Sequence, residues 1–175
     1  MNLQESEELQ QFKLKPLNRE GLAAAMSKAE HYRLLNQPDL AESICRDILA
    51  IDPDNQKVAI VLLLALTDQF GQGSSLTVKH AREIASNLKD EYARVYYTGI
   101  VHERQGMAAL RSGLPGTDFD AYEWYIEAME FYERADAICA GANIDPKLRW
   151  NTCARIIMQY QLRQRPFDDR EPMLE

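Results

Sequence analysis

Apolar residues recur every three or four positions from about residue 21 to 162, and short polar breaks interrupt them. That spacing is the period of helices that each bury one stripe. "LAAAMSKAEHYRLL" (22–35) predicts a first helix with Ala25, Ala29, Tyr32 and Leu35 on its stripe. Asn36-Gln37-Pro38-Asp39 reads as a turn. Pro38 or Asp39 then opens a second helix over about 39–51, whose face is Ala41, Ile44, Cys45, Ile48 and Ile51. Proline lacks only an N–H that a helix start leaves unpaired, and aspartate can cap it.

Asp52-Pro53 ends that helix, because proline cannot continue a helix interior and biases its predecessor away from helical angles. The same dipeptide is expected to start the third helix, with Asp52 as cap and Pro53 in the first turn. A break so short makes neighbouring helices antiparallel. The third helix, about 54–70, contains the longest apolar run, "VAIVLLLAL" (58–66), and closes at Gly71 in "GQGSS". Ser75 is expected to cap a fourth, about 76–89, with stripe Val78, Ala81, Ile84, Ala85 and Leu88. The fifth (about 90–111) and sixth (about 120–140) are long and flank a Gly/Pro loop at 112–119. Asp145-Pro146 repeats the earlier device and opens a seventh. No stretch alternates with period two, so the prediction is seven helices and no strand.

Residues 1–20 read as a polar leader, or as a short docking helix through Leu3, Leu9, Phe12 and Leu14. Residues 21–162 read as one helical domain. Residues 163–175 form a charged, proline-containing tail expected to be flexible.

Two helices joined by a tight turn, then a proline stop, then two more, is a helix-pair array. Within 22–55, Ala29 is followed by Tyr32, then Ala41, Cys45, Ile48 and Pro53. This pattern resembles the tetratricopeptide repeat (TPR) family, whose unit of about 34 residues has the length of that stretch. Ala25 stands where the family often has Trp, and Cys45 where it prefers a larger aromatic. The likeness extends through Ala59, Leu62 and Leu66, through Ala81 and Ala85, through Val95 and Gly99, through Ala128, Tyr132 and Ala135, and through Trp150 and Ala154. It implies an all-α, TPR-like antiparallel helix-pair solenoid of about seven helices, roughly three and a half repeats. Small residues at 29, 41, 99, 128 and 154 would mark the places where helices nest.

Composition agrees with a soluble helical chain: 175 residues, 46% apolar, 27% charged, with few Gly and Pro. The net charge of −7, with Lys and Arg scattered, argues against nucleic acid and anionic lipid as partners. Three widely spaced cysteines, Cys45, Cys139 and Cys153, suggest no disulfide framework. The first twenty residues lack the features of a signal peptide, and the longest apolar run is about half a membrane span. A cytoplasmic location is therefore expected.

Candidate chemistry is thin. His31, His80 and His102 have no His or Cys at metal-ligand spacing. "GQG" and "GLPG" follow no strand and precede no Gly-Lys-Ser/Thr, so they read as turns with positive φ. Cys153 in "WNTCARII" suits a buried helix crossing better than a nucleophile. Glu123, Glu127 and Glu130 share one helix face and read as a solvated face. The tyrosines around 92–97 and 122–132 are mostly expected in the core. No catalysis, cofactor or metal is expected.

The TPR resemblance further implies a groove lined by the first helix of each pair. Its candidate contact residues are Met26, Glu30 and Arg33; Lys57, Ile60 and Leu64; Tyr96, Ile100 and Glu103; and Leu148, Asn151 and Arg155. Family members that grip the carboxyl terminus of heat-shock chaperones use a Lys/Asn clamp; the corresponding positions here hold Met26, Glu30, Val61, Ala93 and Tyr97, so that ligand is not expected. The expected function is a protein- or peptide-binding scaffold. The rivals are a chaperone-like holder of a secreted or unfolded client, a helical-bundle enzyme or metal protein, and a homo-oligomer through the C-terminal helix.

Overall fold

A computed structural model describes residues 13–72 and 75–166. Among these there are seven α-helices and no strand: α1 (Leu22–Leu34), α2 (Pro38–Leu49), α3 (Gln56–Asp68), α4 (Ser75–Ser86), α5 (Glu91–Ser112), α6 (Thr117–Cys139) and α7 (Asp145–Tyr160). Each helix packs on the next in the chain. In addition α1 touches α3, and α3 touches α5. The most extensive pairing joins the two long helices α5 and α6.

The turns explain these boundaries. After α1, Asn36 adopts φ +56°, and the Gln37 amide returns to the Tyr32 carbonyl at 2.9 Å. Asparagine tolerates this left-handed conformation. Pro38 then takes the first turn of α2. The 52–55 break differs from the expectation. Asp52 does not cap α3, and Pro53 lies in the turn before it. The cap is Asn55, whose side chain accepts from the Val58 amide at 3.2 Å and donates to the Asp52 carboxylate at 2.8 Å. The stop and the start are therefore separate devices. Asp90 caps α5 through the Ala93 amide at 2.7 Å. Gly113 (φ +61°) ends α5 and Gly116 (φ +85°) precedes α6, which begins at Thr117, earlier than its periodicity predicts. Ser75 opens α4, but its capping role depends on residues 73–74, outside the described set.

Two cores result. The first joins α1–α4 through Ala29, Cys45, Ile48, Val58, Leu62, Leu63, Leu66, Phe70, Ala81 and Ala85, with Val101 reaching in from α5. α3 is apolar all round because it is covered on several sides, which accounts for its uninterrupted aliphatic run. The second core joins α5–α7 through Tyr96, Ile100, Ala121, Tyr125, Ala128, Tyr132, Ala135 and Cys153. Here small residues seat large ones. A Cβ added to Gly99 would lie 2.8 Å from the Tyr132 ring, and one on Gly106 would lie 3.0 Å from the Tyr125 ring. Leu64 and Tyr97 pack against both cores and so form the joint between them.

Ala29, Ala41, Gly99 and Ala128 are buried as expected, but Ala154 is only partly so; in α7 the buried small residue is its neighbour Cys153. Where they are described, both chain ends contact the helices. Leu17 packs on the first core, and Asn18 accepts from the Gly21 amide to fix a short 3-10 turn (Arg19–Gly21), so this part of the leader joins the fold. Beyond α7, Leu162 is buried. Arg165 reaches Asp120 at 2.5 Å and lies over the Phe119 ring, so the start of the tail is tied to the N-terminus of α6. The proposed docking residues Leu3, Leu9 and Phe12, and the tail beyond 166, lie outside the described residues.

Candidate functional site

The first helices of the pairs present stripes that meet. Arg33 in the last turn of α1 donates through Nε to Asp68 at the end of α3 at 2.8 Å. Arg104 of α5 approaches the other oxygen of the same carboxylate at 3.7 Å. Asp68 follows Ile60 and Leu64 at four-residue spacing, so these three share one face of α3. Met26, Glu30 and Arg33 likewise share one face of α1. Glu30 and Lys57 are exposed, whereas Met26, Arg33, Ile60, Leu64 and Tyr97 are half-buried. Along α1, α3 and the adjoining part of α5, the face therefore offers accessible aliphatic and aromatic atoms with charges at its rim.

The α5 candidates are different. Tyr96, Ile100 and Glu103 are buried and cannot line an open groove. Tyr96 stacks on Tyr92 with ring centroids 5.5 Å apart and meets Tyr97 edge-on at 5.2 Å. Ile100 belongs to the second core. Glu103, 2% exposed, is the hub of a polar knot. The Tyr132 hydroxyl of α6 donates to its Oε2 at 2.6 Å, and Arg149 of α7 donates to its Oε1 at 2.9 Å. Burial and the Glu103 charge push the Tyr132 hydroxyl far up. Burial disfavours the Arg149 charge, but Glu103 outweighs it and holds the guanidinium charged. The side of α5 that carries Glu103 faces α6 and α7, whereas Arg104, one position on, faces Asp68 of α3.

The α7 candidates Leu148, Asn151 and Arg155 are exposed, and Asn151 borders the cleft between α6 and α7. They do not join the α1–α3 face.

A second cleft, of about 390 Å³, opens between α4, α5 and α6 and is walled by Ala85, Val101, Trp124, His102, Glu127 and Arg82. His102 Nδ1 lies 2.6 Å from Glu127, and the imidazole sits among Trp124 and Phe131. Burial holds its pKa below the usual histidine value, against the opposing pull of Glu127. Arg82 covers the Trp124 ring at 5.2 Å. Sequence spacing missed this cluster because its members come from three helices, and Glu127 looked like one more solvated carboxylate. A third cleft, of about 280 Å³, lies between α6 and α7, where Trp150 donates to Glu133 at 2.9 Å.

The cysteines are free. Cys45 and Cys153 are buried and Cys139 is half-buried. Burial pushes the Cys45 thiol up to about 11 and Cys153 higher still, so neither is primed as a thiolate nucleophile. Among the described residues no group of three or more His, Cys, Asp or Glu could hold a metal ion, and no helix is long and apolar enough to cross a membrane. No protein-family model, curated protein or solved structure matches the chain.

Proposed function

We propose that this chain is a TPR-like helix-pair solenoid that binds a protein or peptide along the face shared by α1, α3 and α5. The observation that carries the reading is the bridge Arg33–Asp68–Arg104, which spans the first helix of three successive pairs. Such a bridge requires those helices to lie side by side, as in a stack of pairs. The half-buried residues beside it, Met26, Ile60, Leu64 and Tyr97, supply contact area, and Glu30 and Lys57 supply a charged rim that selects among partners. Because packed helices hold the face in place, ordering costs on binding fall mainly on the ligand.

Affinity capture from native lysate with tagged protein tests the reading. Met26→Glu and Ile60→Glu, each with helicity retained, should lose a co-purifying protein that Glu130→Arg, on α6, retains. Equal recovery by all three variants would remove the assignment of this face.

A further inference from the structure

In the Arg33–Asp68–Arg104 bridge the two guanidiniums are not held alike. Arg33 donates through Nε to Asp68 Oδ2 at 2.8 Å, a charge-assisted hydrogen bond. Arg104 Nη2 stands 3.7 Å from Oδ1, beyond hydrogen-bond distance. Its Nε is sealed from solvent and has no acceptor among the described residues. The side chain is 24% exposed, and its two terminal nitrogens, also without an acceptor among the described residues, remain open to solvent.

A guanidinium held this way returns little to the fold. It is taken partly out of water, its five donors find no acceptor, and the nearby carboxylate is already committed to Arg33. Departures of this kind persist where function requires them. Two guanidiniums facing one carboxylate also leave a positive charge uncompensated, in a chain whose net charge is −7. Apolar surface adjoins it. Tyr97 lies seven residues before Arg104, two turns back along the same side of α5, and packs with Leu64 of α3 against both cores. Burial raises the Tyr97 pKa and the Arg33 charge opposes it, which sets the phenol beside the cationic centre.

We propose that Arg104 anchors a carboxylate side chain, Asp or Glu, of the peptide bound on this face, while apolar residues beside that acid rest on Tyr97, Leu64 and Ile60. The anchor presupposes the peptide-binding reading of the face and names the chemistry of its ligand. A carboxylate has one charge and two oxygens, which match the open end of a single guanidinium fork. A phosphate dianion would call for a second free guanidinium, and Arg33 is engaged by Asp68. A peptide without the acid leaves the Arg104 donors unmet and binds less tightly.

The full chain is probed with an array of short random peptides whose ends are acetylated and amidated. It should select sequences with Asp or Glu beside Leu, Ile, Phe or Met. Replacing the acid of a selected peptide by its amide counterpart should weaken binding to the unaltered chain about tenfold and leave binding to Arg104→Met unchanged. Arg104→Met should itself unfold at the same urea concentration as the unaltered chain or a higher one, whereas Arg33→Met should unfold at a lower one. Selected peptides lacking acids, an equal loss on both proteins, or a lower unfolding midpoint for Arg104→Met would overturn the anchor and leave the face in place. Failure of the face shows itself separately: no peptide is selected, or the selected ones bind Met26→Glu equally well, and the anchor falls with it.

Discussion

The two cores are built from different materials. The first, within α1–α4, is mainly aliphatic: Leu, Ile, Val and Ala side chains around α3, with Cys45 and Phe70, and Thr67 is the only buried polar residue of these helices among the described residues. The second, within α5–α7, is made of tyrosines seated on Gly and Ala, and it buries the carboxylate of Glu103. An aliphatic core is held by burial in proportion to area and tolerates exchanges that conserve volume. A core with a buried charge depends on every partner of that charge remaining in place. The first half should therefore respond to lost volume, and the second to lost hydrogen bonds.

The largest expected effect is on the aliphatic side. Leu63 is fully buried, and Leu63→Ala should cost about 4 kcal/mol by urea unfolding, while Leu63→Met should cost about 1. On the polar side, Arg149→Met removes little buried volume but strips Glu103 of its counter-charge. It should cost about 3 kcal/mol, at the lower end for a broken buried pair because Arg149 is partly solvated. Glu103→Leu combined with Arg149→Met should recover most of that loss. If the double variant is no more stable than Arg149→Met alone, the contrast between the halves fails.

A sharper version compares two tyrosines of one helix. Tyr132→Phe leaves Glu103 Oε2 without its donor and should cost about 2 kcal/mol. Tyr125 is equally buried, but its hydroxyl has no partner among the described residues. Tyr125→Phe removes an unsatisfied group and should stabilise by about 1 kcal/mol. Equal effects at the two positions would mean that the polar knot contributes nothing.

The order of visibility in the sequence follows from the same contrast. The aliphatic half was legible: the stripe Ala41, Cys45 and Ile48 and the run 58–66 locate α2, α3 and their core by periodicity alone. Helix breaks at prolines 38, 53 and 146 and at glycines 71 and 113 were legible for the same local reason. Asn55 escaped as the cap of α3 because the adjacent Asp-Pro is the stronger signal. Helical phase groups Tyr96, Ile100 and Glu103 on one side of α5 but does not say that α6 and, far along the chain, Arg149 of α7 cover that side. The His102–Glu127–Trp124 cluster is a tertiary assembly with no spacing to betray it.

The smallest effect expected is electrostatic. Because burial lowers the His102 pKa, the unfolded chain takes up the proton first as acidity rises. Stability from this group is thus complete above the usual histidine pKa of about 6.5 and is lost as pH falls through and below it. His102→Gln should flatten the pH dependence of the unfolding midpoint in that window. At lower pH, below the ordinary carboxylate value of 4.5, Glu42 should dominate: burial raises its pKa, but the Gln69 and Arg46 hydrogen bonds outweigh this and lower it, so its stabilisation is lost on protonation. A profile through neutral pH that is the same with and without His102 would show that the α4–α6 cleft does not bias its protonation.

Site-specific photo-cross-linking tests the central claim most directly, that the side-by-side first helices form the working face. A benzophenone side chain is placed at Met26, Ile60, Glu83 or Glu130, and each variant is irradiated in native lysate. The account predicts one shared protein adduct from positions 26 and 60 and none of it from 83 or 130. An adduct formed only at 83 or 130 would place recognition on the second helices of the pairs and contradict it.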